Sequence, residues 1–299
     1  MAPGDMLDNT PFEFLLENTD IRLDLLFLMP GQAPPEIIPD HDVAIVAIGE
    51  SDKNQPLLEQ ASSLLSSWPR PVLNQSRYVM RCARHTSYQL LNGLSGLQIP
   101  MTRRLRRELM SGQSFPFTIR PVDTHGGSGL EKIDSEVSLN AYLEHHFEAE
   151  LYVSEYIDYR SKDGLFRKLR IVLIDGKPYL CHLAISDHWM VHYNSADMQS
   201  SLQNRDEEAE MMKNFDHDFA VHHGMVLKAI ADRLALDYVV LDCGQTHDGH
   251  LLLFESDSRG WIHASDPVEI FPYKKAVMQK AFDAFRSMLL SRLMSTPSP

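Results

Sequence analysis

At 299 residues the chain is long enough for two or three compact lobes with a cleft between them, since domains typically run to roughly 100 to 150 residues. Its 41 Asp and Glu against 28 Lys and Arg repel phosphate backbones and anionic bilayers, which argues against nucleic acid or membrane as the main partner. Three separated cysteines, Cys82, Cys181 and Cys243, suit reduced core thiols and not a disulfide scaffold or structural zinc. With no apolar run near the roughly 20 residues of a membrane span and no signal-like start, the expected location is the cytoplasm.

Ile21 to Met29 (IRLDLLFLM) and Val43 to Ile48 (VAIVAI) are short apolar runs that read as buried strands covered on both faces, the first closed by Pro30 and Gly31. Leucines and alanine at helical spacing between Gln55 and Trp68 predict a helix, stopped by Pro69 and Pro71 ahead of a strand at Pro71 to Asn74. A second helix is expected from Arg84 to Leu94. Ile99 and Pro100 then open an extended segment into Arg103 to Arg107, whose charge run reads as a solvated helix face. From Phe115 the pattern becomes strand (FPFTIRP), glycine loop (THGGSG), strand (LEKI), a helical patch at Ser138 to His146, and a strand at Leu151 to Ile157. Leu169 to Ile174 and Tyr179 to Ile185 flank Asp175, Gly176 and Lys177 and predict a hairpin. Asn194 to Asn214 read as a surface loop and the start of one long helix ending near Leu234. Tyr238 to Cys243 and Leu251 to Glu255 form another strand pair about Asp248 and Gly249, and Tyr273 to Leu293 is a closing amphipathic helix before the tail STPSP. There is no internal repeat and no low-complexity segment.

The chemistry concentrates at the end of that last strand pair. Asp242 leaves one strand and Glu255 and Asp257 leave the other, so three carboxylates are expected at one end of a sheet. Residues two apart on a strand share a face, which puts Glu255 and Asp257 together. Hard oxygen donors at that spacing suit magnesium bridging phosphate oxygens, although a solvated strand end carries the same residues. His125-Gly126-Gly127-Ser128-Gly129 lies between two strands, where glycines let backbone amides approach a polyphosphate and let the loop fold over it; many glycine turns do neither. The loop is neither GxxxxGK[ST] nor GxGxxG opening a helix, so the P-loop and Rossmann motifs are absent. Arg120 on the preceding strand adds a fixed cation. Arg167, Lys168 and Arg170 begin a strand that is otherwise apolar, where cations are costly unless anions meet them. Lys168 is read as facing away from the other two, and a basic surface hairpin is the alternative.

The succession of cation-bearing strand, glycine lid, strand ending in Glu155, basic strand, Asp242 and Glu255-x-Asp257 resembles the ATP-grasp superfamily over residues 70 to 265. That superfamily includes the D-alanine:D-alanine ligases and the ribosomal-protein glutamate ligases. His125 to Met198 also resembles the ATP-grasp domains attached to bacterial tetratricopeptide-repeat proteins, though this chain has no such repeats. The resemblance implies an α/β fold of three lobes: residues 1–100 an N-terminal α/β lobe, 101–157 a central lid lobe, and 158–299 the C-terminal lobe, with ATP between the last two. It implies ATP- and Mg2+- (or Mn2+-) dependent joining of a carboxylate to an amine through an acyl-phosphate, on an amino acid or peptide. A kinase that stops after phosphoryl transfer, or an ATP- or partner-binding module without turnover, would carry the same motifs.

Residue by residue, the resemblance implies that Arg120 stands for the usual lysine on the phosphates, and that His125, Gly126, Gly127, Ser128 and Gly129 form the lid. Glu155, Tyr156 and Ile157 become the adenine hinge, Lys168 an ATP contact, and Arg170 with Arg167 the cations facing the transferring phosphoryl group. Asp242, Glu255 and Asp257 become the metal ligands. Asp257 stands where the family usually has Asn, and the ribose-binding acid expected near Lys168 is missing. His182, Asp187, His192, Asn194 and His263 are the candidate substrate contacts, and a homo-oligomer is left open. The pairs His145-His146 and His222-His223 cannot chelate one ion from a helix and read as polar surface.

Overall fold

The computed structural model describes residues 8–34, 37–193 and 195–294. Within them the strands form three sheets. A parallel pair joins β1 (Ala44–Ile45) to β2 (Val72–Leu73). β3 (Leu97–Gln98), β8 (Phe166–Ile174), β9 (Lys177–Ser186), β10 (Tyr238–Gln245) and β11 (Leu251–Asp257) form a five-stranded sheet in the order β3-β11-β10-β8-β9. β4 (Thr102–Arg106), β5 (Phe117–Pro121), β6 (Glu131–Ile133) and β7 (Glu150–Glu155) form an antiparallel sheet in the order β4-β7-β5-β6.

β8 and β10 occupy the middle of the larger sheet and are covered on both faces, which is why their sequences are almost continuously apolar. Alternation sorts their side chains. Leu169, Ile171, Leu173, Val239, Leu241 and Cys243 join one core, with α2 (Gln55–Leu65), α4 (Arg84–Leu91), α6 (Leu202–Asn214) and α8 (Gly224–Leu234). Val172, Ile174, Tyr238 and Val240 join another, beneath α1 (Phe12–Leu15) and α9 (Lys274–Met294). A third core forms where Leu139 and Tyr142 of α5 (Glu136–His145) meet Phe117, Ile119, Ile133, Leu151 and Val153 of the four-stranded sheet. α5 starts on a reciprocal Ser135–Ser138 capping box. The β8–β9 hairpin closes on Asp175 and Gly176, both left-handed at φ +50° and +74°, the two-residue turn that matches strand twist. The three cysteines are buried and free.

Several expected elements differ. Ile21 to Met29 is extended but pairs with no strand: Leu26 and Leu28 face the core while Leu25, Phe27 and Met29 remain exposed, so only one face of the run is covered. Arg103 to Arg106 lie on β4, not on a helix. Pairing with β7 sets Arg104 beside Glu150, and Asp52 completes its ion pairs, an outcome the charge run could not announce because it has no periodicity. The long helix breaks into α6, α7 (Phe219–His222) and α8. His223 is 3% exposed, its ring 4.4 Å from that of Phe219, so it is a core histidine and not polar surface.

Candidate functional site

A cleft opens between the two larger sheets. Thr118 and Arg120 of β5, Gly126 and Gly127 of the loop, Tyr152 and Ser154 of β7 and the segment Glu155–Ile157 line one side; Lys168, Arg170, Asp242, Glu255 and Asp257 line the other. Arg84, at the start of α4, lines it as well.

Lys168 and Arg170, two residues apart on β8, share a face, which corrects the expected alternation. Both reach Asp242 on β10: Lys168 Nζ donates to Oδ2 at 2.9 Å, Arg170 Nε to Oδ1 at 2.8 Å and Arg170 Nη2 to Oδ2 at 3.0 Å. Arg170 and Asp242 are directly opposed, and the register slips immediately after each, between Arg170 and Ile171 and between Asp242 and Cys243. Such bulges re-aim side chains beside a site. Burial works to raise the Asp242 pKa, but the two cations outweigh it and hold the carboxyl well below its ordinary value. Arg167 lies on the opposite face and pairs with Asp163 and Glu207, outside the cleft.

Glu255 and Asp257 stand together as expected, but the third donor beside them is His125. Ligand atoms of His125, Glu255 and Asp257 lie within 4.8 Å of one another, whereas Asp242 has both oxygens committed to its cations. His125 Nδ1 is 3.7 Å from Glu255 Oε1, and Arg259 lies against Nε2. Arg84 donates to Glu255 Oε1 at 2.5 Å. Burial pushes the Glu255 carboxyl up, yet Arg84 and Arg120 together hold it below the usual range. Asp257 is pushed up to about 6 by burial and by Glu255. Burial and Arg259 push His125 down to about 4, leaving its imidazole neutral at pH 7. Two carboxylates and a neutral imidazole are a donor set that fits a divalent ion such as Mg2+ or Mn2+.

The loop has the conformations its glycines permit: Gly126, Gly127 and Gly129 sit at φ +62°, +82° and +63°, and a Cβ on Gly129 would fall 2.6 Å from Pro121 Cδ. Arg120 anchors the root of the loop through Thr124, donating to its hydroxyl at 3.1 Å and to its carbonyl. Ser128 and Gly129 shape the turn without lining the cleft. Tyr156 meets Trp189 edge-on at 5.8 Å and carries Lys132 Nζ 4.4 Å above its ring; these aromatics border the cleft at Ile157.

A second cavity lies beyond Arg170, lined by His182, His192, Tyr193 and His263 among others; Arg170 and His192 face both cavities. His182 Nδ1 is buried without a hydrogen-bond partner among the described residues. Asp187 is exposed and lines neither cavity, and Asn194 lies outside the described residues. Arg84, Glu50 and Arg259 were not singled out in the sequence. Glu50, raised to about 7 by burial and then by Asp123, lines a small polar pocket with Asp123, Arg84 and Asp257. Its place right after an apolar strand run was the available signal; Arg84 had none.

No family model matches the chain, and no curated protein matches its sequence. Among solved structures, a RimK domain ATP-grasp protein from Sphaerobacter thermophilus superposes with a TM-score of 0.53 at 16% identity, covering 90% of this chain and 86% of that one. The VanG D-Ala:D-Ser ligase from Enterococcus faecalis gives 0.53 at 15%, covering 86% and 74%. The D-alanine-D-alanine ligase from Coxiella burnetii gives 0.50 at 12%, covering 85% and 68%. The chain is therefore a mixed α/β protein of the ATP-grasp fold. Within that fold it is similar to both the RimK type and the D-alanine ligase type, at identities that carry the architecture and not the substrate. No helix among the described residues is long and apolar enough to cross a membrane.

Proposed function

We propose that this protein is an ATP-dependent ligase that activates a carboxylate as an acyl-phosphate and transfers the acyl group to an amine of an amino acid or peptide. One observation carries the proposal: a chain of net charge −13 gathers Arg84, Arg120, Lys168 and Arg170 on a single cleft, beside a cluster suited to a divalent ion. Four cations set against a carboxylate pair suited to a divalent ion fit a metal-bound polyphosphate, whose oxygens would meet the cations and whose ion would meet Glu255 and Asp257. In this reading ATP lies between the lobes of residues 101–157 and 158–299, with Arg84 contributed by the 1–100 lobe. The adenine packs against Tyr156 and Ile157, and Arg120 and the amides of Gly126 and Gly127 receive the phosphates. The divalent ion, Mg2+ or Mn2+, would be held at Glu255 and Asp257 and would neutralise phosphate charge.

The substrate carboxylate oxygen attacks the γ-phosphorus and ADP leaves. The amine then attacks the acyl carbon, phosphate leaves, and the nitrogen gives up a proton. Arg170, aimed at the cleft by its bulge, stabilises charge on the transferring group, where most catalysis of phosphoryl transfer resides. The second cavity beyond Arg170 is the natural seat for the acceptor, with His182, His192 and His263 as contacts.

The test is incubation with ATP, Mg2+ and pooled amino acids and dipeptides, followed by ADP measurement and mass spectrometry. An amide product with matching ADP and phosphate is expected. A phosphorylated product without an amide would make the protein a kinase, and no ATP consumption with any pool would remove the enzymatic reading.

A further inference from the structure

We infer that His125, the first residue of the glycine loop, is itself a ligand of the divalent ion held by Glu255 and Asp257, so that ion binding and loop closure are one event. This rests on the metal site of the ligase reading, but concerns a residue that the resemblance placed in the lid and not among the metal ligands.

The geometry comes first. Donors about 2.0 to 2.3 Å from one ion lie at most roughly 4.5 Å apart. The atoms of His125, Glu255 and Asp257 already fall within 4.8 Å of one another, and His125 Nδ1 is 3.7 Å from Glu255 Oε1. A shift of a few tenths of an ångström completes the set. Asp242 is a poor rival, because binding through it would strip Lys168 and Arg170 of their shared partner.

The second support is mechanical. Arg120 ties down Thr124, and Gly126, Gly127 and Gly129 stand in left-handed conformations on the other side of the ring. The imidazole is thus held between an anchored root and a pliable turn, so a small motion of the turn delivers it to the carboxylates. Coordination through Nδ1 leaves the ring proton on Nε2, and Arg259, which lies against that nitrogen, must then let go of it. A nitrogen donor also favours Mn2+ over Mg2+, which prefers an all-oxygen shell.

The experiment uses full-length protein labelled with 15N-histidine, loaded with Mn2+ and inorganic tripolyphosphate, which contributes no nitrogen. Pulsed EPR should show a directly bonded 15N coupling that disappears in His125→Ala, with Mn2+ affinity falling at least ~10-fold, the scale on which losses around a metal site are felt. His125→Asn gives a second, isosteric variant, and circular dichroism verifies folding of both. Amide hydrogen exchange of residues 124–130 should slow on adding Mn2+ to wild type and not to the variants. Mn2+ that binds in a Glu255-dependent way, without 15N coupling and with equal affinity in His125→Ala, would overturn the inference and leave the ligase reading standing. Absence of any Mn2+ binding, with or without tripolyphosphate, would remove the metal site and this inference together.

Discussion

Two clusters of charge withdrawn from solvent are built in opposite ways. At the start of α9, Lys274 is 2% exposed and lies 3.0 Å from Asp266 Oδ2 and 3.3 Å from Glu208 Oε1, with the Tyr193 hydroxyl accepting from it as well. Glu208 is wholly buried and also accepts from the Leu183 amide at 3.0 Å and the Tyr273 hydroxyl at 2.7 Å. Every member has partners inside the protein. Burial raises Glu208 too, but in the cleft Asp257 is pushed up to about 6, Glu50 in the neighbouring pocket is pushed up to about 7, and Arg84 is borrowed by Glu255. A closed network needs only itself, whereas an open one is completed by ions from outside. That difference separates a structural cluster from a functional one more surely than the residue types do.

The widest contrast comes from removing one cation from each. Lys274→Met leaves Glu208 buried and uncompensated and takes the cation from the half-buried Asp266, and should cost about 3 to 5 kcal/mol of stability, read as a large drop in Tm or in the denaturant midpoint. An unchanged Tm would show that the Lys274 cluster is not closed after all. Arg170→Ala should instead act on rate: a contact made mainly in the transition state is worth about 3 to 4 kcal/mol, so turnover falls roughly a hundredfold to a thousandfold while ATP binds near normally. Lys168 still faces Asp242 in that variant, which protects the fold. Full activity in Arg170→Ala would reduce the guanidinium to a partner of Asp242.

What the sequence revealed follows the same division between local and assembled features. Glu255 and Asp257 were legible because two-residue periodicity is local, and so was the hairpin at Asp175 and Gly176. The same rule gives Lys168 and Arg170 a common face, so the misread alternation was an error of counting and not of information. Arg84 was illegible for a physical reason: it meets Glu255 across 171 residues of chain, a contact that only the tertiary fold creates. The ion pairs of Asp242 were illegible because its cations lie on a different strand, and the nearness of His125 to Glu255 and Asp257 because loops carry no periodicity to say where they point. Ile21 to Met29 had the composition of a strand covered twice, but composition does not supply a neighbouring strand.

A smaller effect tests the small pocket beside the cleft through Glu50. Its folded-state pKa of about 7 lies above the ordinary 4.5, so stability is lost progressively as pH rises from about 4.5 to about 7, with the full penalty above that and none well below 4.5. Glu50→Gln should therefore stabilise the metal-free protein at pH 8, by about 3 kcal/mol, and by under about 1 kcal/mol at pH 5. Thermal melts at the two pH values decide this: equal shifts at both would mean that the Glu50 pKa is not raised in the folded protein, and a loss of stability at pH 8 that it has a cation partner.

The smallest effect belongs to Arg167, and it tests which face of β8 belongs to the cleft. Arg167 is separated from Lys168 by one residue step and so points to the other side of the sheet, where it pairs with Asp163 and Glu207. Those carboxylates are 49% and 36% exposed, so water and salt screen both pairs. Pairs of that kind are worth about 0 to 1 kcal/mol, and Arg167→Ala should lose no more than that, with the loss shrinking further in 0.5 M salt, where roughly 4 Å of screening length remains. Turnover should stay within about twofold of wild type, because no phosphate contact is removed. A fall of more than about tenfold, at unchanged Tm, would place the guanidinium at the reacting group and reverse the assignment of the two faces, taking Arg170 out of its catalytic role at the same time.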